Sequence, residues 1–163
     1  MFLFNNTSIL APLDGKCIPL SDVKDDVFAK EMMGPGYAII PNNGEVVSPI
    51  DGKVSVIAPT KHCIVITCDD GLEIMLHFGI DSFKTEGKGF EYCVEVGDDV
   101  KKGQTICNID LDFFIKQNID MTSPIVILNR DKFTIGKCDH INCDVTKKDI
   151  LFKYRGNWNH YLK

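Results

Sequence analysis

The 163-residue chain has ordinary fractions of charged and hydrophobic residues and a formal net charge of −5. This size suits one domain with a core large enough to fold unaided. The negative balance argues against a dedicated nucleic-acid binder, because neutralising phosphates requires an excess of Lys and Arg. The seven cysteines are odd in number and widely spaced, without a CxxC pair. They therefore predict free structural thiols in a reducing compartment rather than a disulfide framework or a zinc ribbon.

Residues 1–9 carry no clear pattern and are predicted to form a loose N-terminal leader. They lack the basic and long apolar regions of a secretory signal. No apolar run approaches the about 20 residues that span a bilayer, so a cytoplasmic location is expected. No low-complexity linker divides the chain, which predicts one domain over 10–153 and an aromatic tail over 154–163.

The first predicted element is a helix of one or two turns, with an N-cap at Ser21-Asp22 and an end at Gly34. Short apolar or alternating runs then follow, separated by turns rich in Gly, Pro, Asn and Asp. The predicted strands are Tyr37–Ile40, Glu45–Val47, Lys53–Ala58, Cys63–Thr67, Glu73–Leu76, Glu91–Val96 and Gln104–Asn108. A second short helix, capped by Asp112, is predicted within 110–118. Strands are expected again at Pro124–Leu128, Val145 and Ile150–Phe152.

This succession predicts an all-β fold, an antiparallel sandwich or barrel with one or two very short helices. The strand–turn–strand segments 46–54 and 96–106 resemble each other and the duplicated barrel-sandwich hybrid folds. Biotinyl and lipoyl carriers, one class of zinc peptidases and a family of sugar phosphocarriers use such folds. The fold alone therefore leaves the function open, and the site must decide it.

Two of the four histidines, His62 and His77, end strand-like segments on either side of a turn at Asp70-Gly71. Folding this hairpin brings the two imidazoles close together on adjacent strands. Such a pair can bind a metal, act as acid and base, or combine a nucleophile with an anion holder. Thr60 offers a hydroxyl near His62. His140 and His160, in the irregular C-terminal part, are predicted to be surface residues.

The segment after His77 adds two supporting residues. Gly79 permits a close backbone approach to the imidazole, and Asp81 can orient an imidazole tautomer.

Several motifs of the chain occur in the same order as in one protein family. They are APLDG at 11–15, VFA at 27–29, GPGYAI at 34–39, SPIDG at 48–52, Thr60 with His62, LHFGIDSF at 76–83, GKGF at 87–90 and the arch over 97–103. This ordered set, covering about 10–129, resembles the glucose-family enzyme IIA of the bacterial phosphoenolpyruvate:sugar phosphotransferase system.

The resemblance implies that 10–153 form a single enzyme IIA domain that carries phosphate on a histidine. His77 matches the phosphoacceptor, His62 the histidine that stabilises the phosphoryl group, and Thr60 the hydroxyl that orients His62. The implied donor is the histidine phosphocarrier HPr. The implied acceptor is the IIB domain of a membrane sugar permease, met at the inner face of the membrane.

The resemblance also implies an apolar docking patch around the histidines, for which Val27, Phe28 and Met75 are the candidates. Regulatory protein partners stay open. No cofactor or metal is expected, and no Walker motif is present.

Two other functions of the hybrid fold are less well supported. A zinc peptidase would need a further ligand set, usually with an HxH pair, which the sequence lacks. A biotinyl or lipoyl carrier needs an exposed lysine at a hairpin tip in a set context, which Lys53 does not provide.

The chain departs from the family pattern in two places. Ala58-Pro59 and Lys61 stand where other side chains are common, which changes the rim of the site. The part after Arg130 aligns poorly with the family.

Overall fold

The computed structural model describes residues 7–157, which contain fourteen β-strands and two short α-helices. The strands are β1 Thr7–Leu10, β2 Gly15–Pro19, β3 Gly36–Pro41, β4 Glu45–Val47, β5 Gly52–Ile57, β6 Cys63–Thr67, β7 Glu73–His77, β8 Phe90–Tyr92, β9 Asp99–Val100, β10 Thr105–Ile109, β11 Ser123–Ile127, β12 Phe133–Ile135, β13 Asp144–Val145 and β14 Ile150–Gly156. The helices are α1 Asp26–Ala29 and α2 Leu111–Lys116, and 3-10 turns span Leu20–Asp22 and Ser82–Thr85. The predicted all-β class with very short helices is confirmed.

The strands of residues 7–157 form three antiparallel sheets. The largest has eight strands in the order β13-β2-β3-β11-β7-β6-β5-β9. The two smaller sheets have three strands each, in the orders β1-β14-β12 and β4-β10-β8. In the large sheet β7 lies between β6 and β11, so a side chain at the end of β7 has structured neighbours on both sides.

The central strands of the large sheet are buried on both faces. In β7, Ile74 and Leu76 enter the main core, whereas Met75, which points to the opposite face, joins a smaller apolar cluster. We call this the second cluster; it consists of Ile18, Leu20, Val23, Phe28, Ala38, Val65, Met75 and Val126. Burial on two faces explains why these strands read as continuous apolar runs in the sequence.

Each helix is capped by an aspartate that was not the predicted N-cap. The side chain of Asp25 accepts a hydrogen bond from the backbone N–H of Val27 (2.9 Å) and caps α1. The side chain of Asp110 accepts one from Phe113 N–H (3.1 Å) and caps α2. Aspartate is favoured at the N-cap and each segment contains more than one, so the sequence located the helices better than their capping residues.

The ends of the described chain are more ordered than the sequence suggested. Residues 7–9, predicted as part of a loose leader, belong to β1, which pairs with β14. Tyr154, predicted to begin an aromatic tail, is a buried residue of β14. The strands β2, β9 and β12 were not predicted. Residues 1–6 and the predicted tail residues Trp158 and Tyr161 lie outside the described part.

All seven cysteines are free thiols, as predicted. Cys17, Cys68, Cys107 and Cys138 are buried, and burial raises the pKa of the Cys17, Cys68 and Cys107 thiols to about 12. They behave as small apolar side chains of the interior. Over residues 7–157, no helix has the length and apolar character needed to cross a membrane.

An ion pair of low exposure fastens the part after Arg130 to the rest of the fold. Lys147 Nζ lies 3.0 Å from the Asp14 carboxylate and 3.4 Å from that of Glu45, and its side chain is only 18% exposed. Lys147→Ala should lower the free energy of unfolding by about 1 to 3 kcal/mol, because Asp14 then loses a charged partner. Chemical denaturation measures this change.

Lys53 provides the matched control, since its 3.6 Å pair with Asp99 is exposed on both sides. Lys53→Ala should change the free energy of unfolding by no more than about 0.5 kcal/mol. Equal effects of the two substitutions would show that the Lys147 pair does not fasten this region.

Candidate active site

The β6–β7 hairpin brings His62 and His77 together as expected. Cys63 pairs directly with His77 in the ladder, and the backbone N–H of Phe78 donates to the carbonyl of His62 at 2.7 Å. The two imidazole centroids lie 5.0 Å apart, with the rings nearly perpendicular at 81°. Two imidazoles at this separation can face one small group held between them.

His62 is held by its neighbour Thr60. The Thr60 Oγ1 lies 2.6 Å from Nδ1 of His62, so one nitrogen of this ring is engaged with the hydroxyl. Desolvation by burial lowers the pKa of His62. A His62 ring that is neutral at pH 7 and fixed at Nδ1 leaves Nε2 for a further partner.

His77 lies in a less polar environment than His62. Its ring packs against Phe28 with centroids 4.7 Å apart, and its Nδ1 is buried without a hydrogen bond of standard geometry. Burial, together with the neighbouring His62, lowers the pKa of His77 to about 4. The backbone of Gly79 and the charges of Asp25 and Asp81 oppose this shift. The imidazole is therefore neutral, and able to act as a nucleophile, throughout the physiological pH range.

A measurable pH dependence follows from the low pKa of His77. The unfolded chain, whose histidines titrate near 6.5, binds more protons than the folded chain between about pH 6.5 and 4. The free energy of unfolding should therefore fall as the pH is lowered through this window. NMR titration should place the His77 midpoint near pH 4, and a midpoint between 6 and 7 would contradict this environment.

Gly79 and Asp81, the two predicted supporting residues, have different surroundings. Gly79 has φ +84°, and a Cβ there would lie 2.6 Å from Met121 Sδ, so a larger residue would strain the backbone and have to displace Met121. Asp81 lies 4.0 Å from Lys84 Nζ and is largely exposed. Among the hydrogen bonds of residues 7–157 none joins Asp81 to an imidazole, so it acts on His77 through its charge and not as the expected orienting partner.

The apolar surface at the site differs from the predicted patch. Val27 is 39% exposed, but Phe28 and Met75 are only 4% and 6% exposed and belong to the second cluster. Both were predicted to be docking residues, but α1 and the sheet bury them, so neither offers the exposed apolar surface that the prediction required. Phe83 is 46% exposed, and its ring centroid lies 6.1 Å from that of His62, so it is an exposed apolar side chain at the edge of the site.

Sequence reasoning missed Asp25 and Phe83. Asp25 caps α1, the helix that contains Val27 and Phe28, and its charge acts on His77 across space. Only the fold brings α1 to the end of β7, so no spacing in the sequence connects them. Phe83 stands inside the quoted motif, but nothing in the motif distinguishes an exposed phenylalanine from a core residue such as Phe78.

The described residues offer no obvious metal site. Within 7–157 there is no group of three or more His, Cys, Asp or Glu side chains placed to hold one ion. The ligand set that a zinc peptidase requires is thus not assembled by this part of the chain.

The comparisons with known proteins define the class. Residues 7–133 match the family model for the phosphoenolpyruvate-dependent sugar phosphotransferase system, EIIA 1. The chain therefore belongs to the EIIA 1 family of the sugar phosphotransferase system. The comparisons give the peptidase alternative no support.

Named relatives place the chain more closely. A PTS system glucose-specific EIIA component of Staphylococcus epidermidis is 45% identical over 127 residues, 78% of this chain and 76% of that protein. A PTS system glucose-specific EIICBA component of Staphylococcus saprophyticus is 42% identical over 149 residues, which are 91% of this chain but 22% of that protein.

A solved structure confirms the fold. Glucose permease IIA from Mycoplasma capricolum superposes with a TM-score of 0.87 at 33% identity, covering 94% of this chain and 98% of that one. Because almost the whole chain is covered, most of the described segment 131–157, which aligned poorly in sequence, belongs to the common fold.

Proposed function

We propose that this EIIA component accepts a phosphoryl group from phosphorylated HPr on His77 and donates it to the IIB domain of a sugar permease. The observation that carries the proposal is the pair of imidazoles 5.0 Å apart, one of them buried at Nδ1 and of low pKa. These features suit reversible phosphoryl transfer, in which the protein positions reactants and stabilises charge.

In the accepting step, the lone pair of His77 Nε2 attacks the phosphorus of the donor phosphohistidine. A new N–P bond forms as the donor's N–P bond breaks, and the donor imidazole leaves with the bonding electrons. Nε2 is the attacking atom because Nδ1 is buried. The reaction needs a neutral imidazole at His77, which its pKa of about 4 provides at pH 7.

His62 stabilises the transferred group in this proposal. If the Thr60 hydroxyl donates to Nδ1 across the 2.6 Å contact, the His62 proton resides on Nε2. An Nε2–H directed between the rings can donate to a phosphoryl oxygen on His77. Thr60 thus selects the tautomer, and His62 offsets negative charge on the phosphoryl group.

The exposed side chains Val27 and Phe83 are the proposed apolar contacts for HPr and the IIB domain. Such a rim excludes water from the phosphohistidine during transfer. The protein would act in the cytoplasm and meet the permease at the inner face of the membrane.

The permease, and not this chain, is proposed to select the sugar. Relatives of similar identity include an EIICBA component of Staphylococcus saprophyticus named glucose-specific and one of Staphylococcus carnosus named glucoside-specific. In both, an EIIA-like segment forms part of a chain whose name includes the IIC and IIB parts.

Reconstitution with enzyme I, HPr and phosphoenolpyruvate tests the proposed function. The protein should gain the mass of one phosphoryl group, labile in acid and stable in base, as expected for a phosphoramidate. No phosphate should appear when HPr is omitted. A protein that stays unmodified in the complete system would overturn the proposal.

A further inference from the structure

The loop that carries Thr60 and His62 has a conformation that needs support. It joins β5 to β6, and its turn is closed by hydrogen bonds from Lys61 N–H to the Ala58 carbonyl (2.7 Å) and from Ala58 N–H to the Cys63 carbonyl (3.0 Å). Lys61 has φ +63°, a left-handed conformation that is unfavourable for a residue with a Cβ. Without contacts from elsewhere in the fold, the Lys61–His62 peptide would therefore adopt a conformation of lower energy.

Tyr92 supplies support from another sheet. Its hydroxyl donates a 2.7 Å hydrogen bond to the Lys61 carbonyl, which belongs to the peptide bond that leads into His62. Tyr92 lies at the end of β8, opposite Cys107 of β10, and its ring packs against the main core. Because that core and ladder fix the tyrosine, its hydroxyl is a fixed anchor for the loop.

The aliphatic part of Lys61 adds a second contact to this anchor. A Cβ placed on Gly87 would lie 3.4 to 3.8 Å from the Cδ, Cγ and Cε atoms of Lys61, so the side chain runs along that glycine. Carbonyl and side chain of Lys61 are thus both held by the segment 87–92.

We infer that Tyr92 is a positioning residue for His62. By fixing the Lys61–His62 peptide, it keeps Nδ1 of His62 2.6 Å from Thr60 Oγ1. It also keeps the His62 ring centroid 5.0 Å from that of His77. The inference rests on the proposed function, since positioning matters through transfer to and from His77. Among residues 7–157 no hydrogen bond or ring contact joins Tyr92 to His62 or His77, so it acts through the loop.

Tyr92→Phe tests this role, because it removes the hydroxyl and keeps the ring in the core. Transfer from the phosphorylated protein to a IIB domain should slow by about 3- to 10-fold, the effect expected from one positioning hydrogen bond. In the unphosphorylated protein, the ring ¹⁵N shifts of His62 should move towards values averaged over both tautomers.

Tyr154→Phe is the matched control. It also removes one tyrosine hydroxyl hydrogen bond, the 2.7 Å bond to Asp70, but away from the histidines. It should leave both the transfer rate and the His62 shifts unchanged, whatever its effect on melting temperature.

The two readouts separate this inference from the proposed function. Wild-type His62 shifts in Tyr92→Phe, or equal shift changes in Tyr154→Phe, would overturn the positioning role. The NMR measurement needs no phosphate, so it decides the role of Tyr92 even if the wild-type protein accepts none from HPr. Failure of the wild-type protein to accept phosphate from HPr would count against the proposed function and not against the role of Tyr92.

Discussion

His77→Ala is expected to accept no phosphate from phosphorylated HPr, a complete loss measured by intact mass in the reconstituted system. The substitution removes Nε2, the nitrogen proposed to form the bond to phosphorus. His62 should not replace it, because its Nδ1 is engaged with Thr60 and its ring lies at a different angle. Phosphate retained by His77→Ala would show that another residue is the acceptor.

A matched control for this variant is His140→Ala. His140 is partly exposed and lies in the segment between β12 and β13, outside the histidine pair. It should accept phosphate like the wild type. Because His77→Ala also removes the ring contact with Phe28, circular dichroism should first establish that the variant is folded.

His62→Gln is expected to separate acceptance from donation. The glutamine amide can still donate a hydrogen bond to a phosphoryl oxygen, so labelling of His77 by phosphorylated HPr should persist. An amide cannot take up or release a proton as the charge on the group changes, and donation should slow by about 10²-fold or more. Single-turnover transfer from the labelled variant to a IIB domain measures this step.

Equal slowing of both steps by His62→Gln would instead assign His62 a role in binding the phosphoryl group in general. Unchanged rates in both would remove it from the mechanism.

The strands were largely predictable because their two signals are local. Turn residues such as Asp70-Gly71 mark the chain reversals, and apolar runs such as Cys63–Thr67 mark the strands between them. The ends of the chain were not predictable in this way. Pairing of β1 with β14 joins segments about 140 residues apart, and neither segment contains a local signal for the other.

The histidine pair was predictable because a hairpin relates His62 and His77 by counting residues from one turn. The rim of the site was not, since it depends on elements that meet only in the fold. Burial of Phe28 and Met75 follows from where α1 packs on the sheet. The bond from Tyr92 to Lys61 joins a strand of one sheet to a loop of another. No periodicity in either segment indicates such contacts.

We propose that His77 carries the phosphoryl group on Nε2. The most direct test is ³¹P and ¹⁵N NMR of the protein phosphorylated through HPr, with the modified residue located by mass spectrometry under alkaline conditions. We expect one phosphoryl group, on Nε2 of His77. Phosphate on His62, on Nδ1 of His77, or on a residue outside the histidine pair would contradict it.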